Sequence, residues 1–199
     1  DQRGQHERES VPLVVPDPLN PRYSYGGGKI ISELLTLNYG REHFERVLIF
    51  RPHNVYGPDM GFEHVLPEFA LRMHRLHAEQ PEGVIPFPIQ GSGAETRAFV
   101  YIDDFSDGLM LLLEHGAHMG IYNIGTREER TVAEVAAEVA RVFGRQIELV
   151  PGKLQTGSTP RRCPDISQLE ALGYGPQVSF AEGVARTTAW YVNYEETQA

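Results

Sequence analysis

The 199-residue chain has no apolar run long enough to cross a bilayer, so no membrane contact is expected. Its first ten residues are polar and give no sign of a secretory leader. It has one cysteine, Cys163, so no internal disulfide can form, and a lone thiol fits a reducing cytoplasm. It has no excess of positive charge: 18 Lys and Arg against 27 Asp and Glu give a net charge of −9. Broad nucleic-acid binding needs a basic surface and is not expected. A small anionic ligand needs only a few placed arginines and stays open. There is no Gly-x-x-Gly-x-x-Gly turn. Gly26-Gly27-Gly28-Lys29 has no glycine five residues before its Gly-Lys, and Gly91-Ser92-Gly93 is followed by a strand-like run, so neither reads as a phosphate loop. No metal is expected: Asp103-Asp104 has no third ligand at useful spacing and reads as a helix cap. Internal repeats and low-complexity tracts are also missing.

What is present alternates between helical and extended patterns, which argues for an α/β fold. Residues 1–22 read as loop, because Pro12, Pro16, Pro18 and Pro21 exclude a helix. Helices are expected over 25–39 and 63–77, and from Asp103 or Asp104 to about Glu114. Two more are opened by the capping boxes Thr131…Glu134 and Ser179…Glu182. Asp165 is expected to cap a short helix ending near Leu172, with Gly173 as its stop. Short apolar runs at 47–50, 97–102, 121–124 and 146–150 read as strands. The run 84–89 carries two prolines, which place it at a sheet edge or in a loop.

Tyr25 and Lys29 form a Tyr-x-x-x-Lys. On a helix, residues four apart share a face, so a phenol and an ammonium project together. The ammonium favours the phenolate, and a tyrosine tuned this way can act as base or acid at a carbinol. Tyr23 lacks such a partner, since Gly27 stands four residues on. Glu33 continues the face and could pair with Lys29, though capping or solvating the helix is the preferred reading.

Four further blocks follow in order: Arg51-Pro52-His53-Asn54-Val55-Tyr56-Gly57-Pro58, Gly91-Ser92-Gly93…Thr96-Arg97-Ala98-Phe99…Asp103-Asp104, Tyr122-Asn123-Ile124-Gly125, and Pro160-Arg161-Arg162-Cys163-Pro164-Asp165. With the Tyr-x-x-x-Lys, this order resembles the extended short-chain dehydrogenase/reductases, in their branch of nucleotide-sugar epimerases, dehydratases and decarboxylases. The resemblance runs from about Pro18 to Tyr191. It implies the C-terminal part of a Rossmann-type parallel sheet plus a small α/β lobe, with 1–60 mainly Rossmann and 61–199 mainly the nucleotide-sugar lobe. The family's glycine-rich turn and its catalytic Ser or Thr would stand ahead of Asp1.

By that resemblance Tyr25 is the catalytic acid or base and Lys29 its partner, also touching the cofactor ribose. Pro52 and His53 border the nicotinamide of NAD, which is preferred to NADP. Asn54, Arg97 and Arg162 bind the diphosphate, with Arg161 the alternative to Arg162. Leu66 and Phe87 through Ile89 frame the nucleobase. For His53, packing or a hydrogen bond is preferred to a role as acid or base, and Cys163 is read as structural. The implied partner is a nucleotide-diphosphate sugar, with a homodimer through the Tyr-x-x-x-Lys helix. The motifs lean to a UDP-sugar 4-epimerase or UDP-glucuronate decarboxylase. The alternatives are a half-protein that only binds a nucleotide sugar, and a short-chain reductase of a small carbonyl.

Overall fold

The computed structural model describes residues 7–154 and 158–198. The polar stretch 1–6, read as loop, lies outside them. In chain order the elements are α1 (Ser24–His43), β1 (Leu48–Pro52), β2 (Val55–Tyr56), α2 (Val65–Glu79), β3 (Ile85–Ile89), β4 (Thr96–Ala98), β5 (Val100–Tyr101), α3 (Ile102–His115), β6 (Gly120–Ile124), β7 (Glu129–Thr131), α4 (Val132–Val142), β8 (Ile147–Pro151), β9 (Arg161–Arg162), α5 (Ser167–Glu170) and α6 (Phe180–Gln198). A single 3-10 turn, Pro21–Tyr23, leads into α1. Helices and short strands alternate, and β1–β6, β2–β5 and β3–β8 each pair in parallel. The α/β class follows from this pattern.

One apolar core lies where α2, α4 and α6 converge on β3 and its neighbours, around Phe69, Met73, Ile85, Phe87, Val135, Val139 and Val184. A second lies between α3, β6 and α5, around Leu112, Ile124, Ile166 and Leu169. In β3 burial alternates strictly, with Ile85, Phe87 and Ile89 inside and Pro86 and Pro88 exposed. The prolines therefore point away from the core on a strand paired along one edge, as a missing N–H requires.

The expected 97–102 strand breaks in two. Phe99 separates β4, which pairs with β7 and β9, from β5, which pairs with β2. The Thr131…Glu134 capping box is present in both directions. At Ser179 only half of it forms: Glu182 N donates to Ser179 Oγ at 3.3 Å, while the Glu182 carboxylate engages Arg186. The reading of Asp103-Asp104 as a cap is corrected. Both lie inside the first turn of α3, whose N-cap Tyr101 makes no side-chain cap bond. Asp103 instead meets Arg186 at 3.2 Å. Asp104 is buried and accepts from the backbone of Gln177 at 2.7 Å and Val178 at 3.1 Å. The carboxylates serve long-range partners that sequence spacing does not reveal. The expected Asp165 cap is also corrected: the N-cap of α5 is Ile166, Asp165 stands one residue before it and accepts from Ser167 N at 3.0 Å, and α5 ends at Glu170, short of Leu172.

Candidate active site

The N-terminal part of the site is set by how α1 lies on β1. Residues 44–47 join them, so the chain reverses and the helix runs back along the strand. Arg51 and Glu33 fix the registry: Nε and one Nη of the guanidinium donate to the two carboxylate oxygens at 2.8 Å each. Both side chains are mostly buried, 19% and 16% exposed, and the Glu33 hydrogen bond raises the Arg51 pKa against the opposing effect of burial. The reading of Glu33 as a solvated or Lys29-paired residue is thereby corrected: its partner is a cation 18 residues away. From this strut Lys29 lies one helical turn toward the N-terminus, about 6 Å along the axis. His53 lies two residues beyond Arg51, roughly 6.6 Å along the strand. Because the two elements are antiparallel, both steps go the same way. From the strut, α1 therefore runs toward Lys29 and Tyr25 in the direction in which β1 runs toward Pro52 and His53. The Lys29 ammonium sits 5.2 Å from the Tyr25 ring centroid, so the expected shared face is realised, and Tyr25 is exposed.

β1 and β6 end together, Pro52 opposite Ile124, and His53 N extends the ladder to Ile124 O at 3.0 Å. In open parallel sheets this carboxyl edge is where ligands sit. His53 Nε2 lies 3.0 Å from Asn123 Oδ1. Burial lowers the His53 pKa, outweighing the Asn123 contact that would raise it. Asn123, quoted above only as part of a motif, is a buried hub: its N–H donates to Glu9 Oε1 and its side-chain amide to Glu7 O and Asp165 O.

At Asn54 the backbone turns with φ 43°, a conformation asparagine tolerates better than most residues. Its side-chain amide donates to Ala98 O at 3.0 Å. It forms part of the wall of a cavity of about 350 Å³ that also contains Arg97, Arg72, Glu68, Phe69, Gln90 and Phe99. Asn54 and Arg97, distant in sequence, therefore share one pocket. Arg97 is aimed by its own bonds to Thr96 O at 2.6 Å and Thr159 O at 2.8 Å. Across the β7-β4-β9 sheet it stands between Arg130 and Arg162, so three arginines occupy one rung and one face. Arg130 is drawn aside over the Phe180 ring and to Glu128. Arg162 Nε reaches Thr159 Oγ1 at 3.0 Å. Arg161, one residue earlier, faces the other side, where it pairs with Glu129 and lowers that carboxylate's pKa.

The apolar side chains expected at the nucleobase are not on the pocket wall. Leu66, Phe87 and Ile89 are buried in the core. Val65, Phe69 and Gln90 line the pocket instead, Phe69 doing so while buried in the same core as Leu66. Arg72 was not anticipated. It lies over the Phe69 and Phe87 rings at 5.6 and 5.5 Å and pairs with Glu68; the i, i+4 spacing was the one available signal. Among the described residues no group of His, Cys, Asp and Glu could hold a metal, and no helix is long and apolar enough to cross a membrane.

The strand ends, the Tyr25–Lys29 face and His53 are the groups that could hold the ring end of a nicotinamide dinucleotide. No glycine-rich turn for its pyrophosphate stands within these 199 residues.

Residues 4–125 match the model of the NAD dependent epimerase/dehydratase family. A probable GDP-L-fucose synthase of Oryza sativa subsp. japonica is 32% identical over 184 residues, covering 90% of this chain and 55% of that protein. A UDP-glucuronic acid decarboxylase of Arabidopsis thaliana is 34% identical over 188 residues, covering 87% and 52%. Among solved structures, a dTDP-glucose 4,6-dehydratase from Streptomyces venezuelae with NAD bound superposes with a TM-score of 0.76 at 31% identity, over 97% of this chain and 56% of that one. The chain spans about half the length of these two curated relatives.

Proposed function

The chain belongs to the NAD dependent epimerase/dehydratase family, and on that premise we propose that it carries the catalytic tyrosine and the sugar-nucleotide pocket of an enzyme that transiently oxidises a sugar carbinol. The observation that carries this reading is the adjacency of His53 and Asn54. The first follows the end of β1, the direction in which α1 carries Lys29 and Tyr25, and the second forms part of the wall of the Arg97 pocket. A nucleotide diphosphate held by Arg97, Arg162 and Asn54 would extend its sugar toward Tyr25.

Tyr25 takes the carbinol proton, and Lys29, whose ammonium lies 5.2 Å from the Tyr25 ring centroid, donates to a ribose hydroxyl. NAD supplies the hydride acceptor when bound. Arg97 and Arg162 offer guanidinium forks suited to phosphate oxygens, and the surplus of positive charge on that rung favours an anion there. Pro52 borders the nicotinamide side. Leu66, Phe87 and Ile89 contribute to the nucleobase site by holding Phe69 and Gln90 in place from the core, with backbone groups of β3 available to the base. The similar proteins named above act on GDP-, UDP- and dTDP-sugars, so the lean toward a UDP-sugar 4-epimerase or decarboxylase rests on motif likeness alone. Exposed Ile31, Leu34, Leu35 and Tyr39 on α1 offer a face for the proposed homodimer.

The test is thermal unfolding of the chain with UDP, GDP, dTDP and NAD in turn, since a ligand that binds only the folded form must raise the midpoint. A rise with a nucleoside diphosphate is expected. No rise with any of the three would refute the pocket assignment. A rise with NAD would mean that the dinucleotide is held without the glycine-rich turn.

A further inference from the structure

Asn123 fixes more than its own position. Its side-chain nitrogen lies 2.9 Å from Glu7 O and 3.0 Å from Asp165 O. Carbonyl oxygens only accept, so the NH₂ must face these two, and the amide cannot be flipped without setting oxygen against oxygen. Oδ1 therefore faces His53 Nε2 at 3.0 Å, and an amide oxygen only accepts. The proton of the imidazole is thereby assigned to Nε2. The other nitrogen, Nδ1, is left with its lone pair. Among the described residues it has no hydrogen-bond partner, and it stands at the carboxyl ends of β1 and β6.

We propose that His53 is a hydrogen-bond acceptor for the bound ligand, offering Nδ1 to an N–H or O–H donor, and that Asn123 is the residue that positions it. The neutral ring's one proton is committed to Asn123, so His53 does not serve as an acid. Burial, which disfavours the imidazolium, works in the same direction. The hub also links His53 to the N-terminal strap: Glu7 and Glu9 hold Asn123 from both its side chain and its backbone. The donor could be a nicotinamide carboxamide or a sugar hydroxyl, and this part alone rests on the functional reading above.

The test is nitrogen-15 NMR of the whole chain labelled at histidine. Eight histidines are present, so His53→Phe identifies the signals of interest. For wild type at neutral pH, Nε2 should show a pyrrole-like shift with a visible N–H correlation, and Nδ1 a pyridine-like shift. Asn123→Ala should abolish the N–H correlation and average the two shifts. A pyrrole-like Nδ1 in wild type would overturn the assignment without any variant, so a failure of Asn123→Ala to fold does not shield it. A correlation that survives in a folded Asn123→Ala would remove Asn123 from its positioning role. Nicotinamide and UDP-glucose are then titrated separately. A shift of Nδ1 with Nε2–H intact is expected; nicotinamide as the effective probe assigns the amide, and UDP-glucose assigns the hydroxyl. A shift at Nε2 with loss of its proton signal, or no shift with either probe, would overturn the acceptor role while leaving nucleoside diphosphate binding untouched.

Discussion

Glu33→Gln tests the strut that brings the Tyr25–Lys29 helix to the strand end. The substitution keeps the size of the side chain but removes its charge and puts an NH₂ against one guanidinium nitrogen. Exposed ion pairs are worth about 0.2–1 kcal/mol, while breaking a buried one costs about 3–5 kcal/mol. With side chains 19% and 16% exposed, this pair lies nearer the buried limit. Arg51 also keeps one bond, from Nη1 to Glu9 O at 3.0 Å. A loss of about 2–3 kcal/mol follows. For a domain of this size 1 kcal/mol moves the midpoint by about 2–4 °C, so a fall of roughly 4–12 °C is expected. Thermal and urea unfolding would measure it, with Arg51→Met and the double variant completing a cycle. The double variant should be less destabilised than the sum of the singles, because removing both charges leaves none buried alone. A midpoint change below about 2 °C, or strictly additive singles, would refute the strut.

Arg97→Met should weaken the nucleoside diphosphate that shifts the wild-type midpoint by roughly 10- to 100-fold in calorimetry, the worth of lost charge-assisted bonds; equal affinity would place the phosphates elsewhere. Gly183→Ala should destabilise by about 1–3 kcal/mol in urea unfolding through overpacking. Its Cβ would stand 2.1 Å from the Tyr56 hydroxyl, in a helix start that cannot retreat without opening the core. Glu129 has its pKa lowered chiefly by the Arg161 hydrogen bond, so its stabilisation is present above the unfolded value near 4.5 and is lost as pH falls through the folded one. Glu129→Gln should therefore be less stable at pH 7 and should lose less on acidification than wild type, as followed by urea midpoints across pH. Burial pushes the Cys163 thiol up to about 11. Its contribution should hold below pH 9 and fade between 9 and 11, a decline that Cys163→Ala should lessen, and a thiol reagent at pH 8 should label wild type only on unfolding.

Much of this molecule was legible in short-range pattern. The α1 helix and its Tyr25–Lys29 face follow from spacing, and the proline-bearing strand at 84–89 took the edge position its missing N–H groups demand. The Thr131…Glu134 box formed because both partners lie within one turn. Where the reading missed, the partner was remote. Asp104 caps nothing in its own helix because the backbone of residues 177 and 178 claims it. Glu33 answers to Arg51 and not to Lys29.

The sequence by itself determined most of the elements and the family motifs, since helical periodicity, capping and side-chain type act within a few residues. The tertiary structure decided which groups meet. It set Arg97 between Arg130 and Arg162 on one rung, joined Asn54 to the Arg97 pocket, and locked the His53 proton through Asn123. These relations depend on strand register and on hydrogen bonds between residues 70 and 116 positions apart. Local propensity carries no information about such closures, which are fixed only when the whole chain packs.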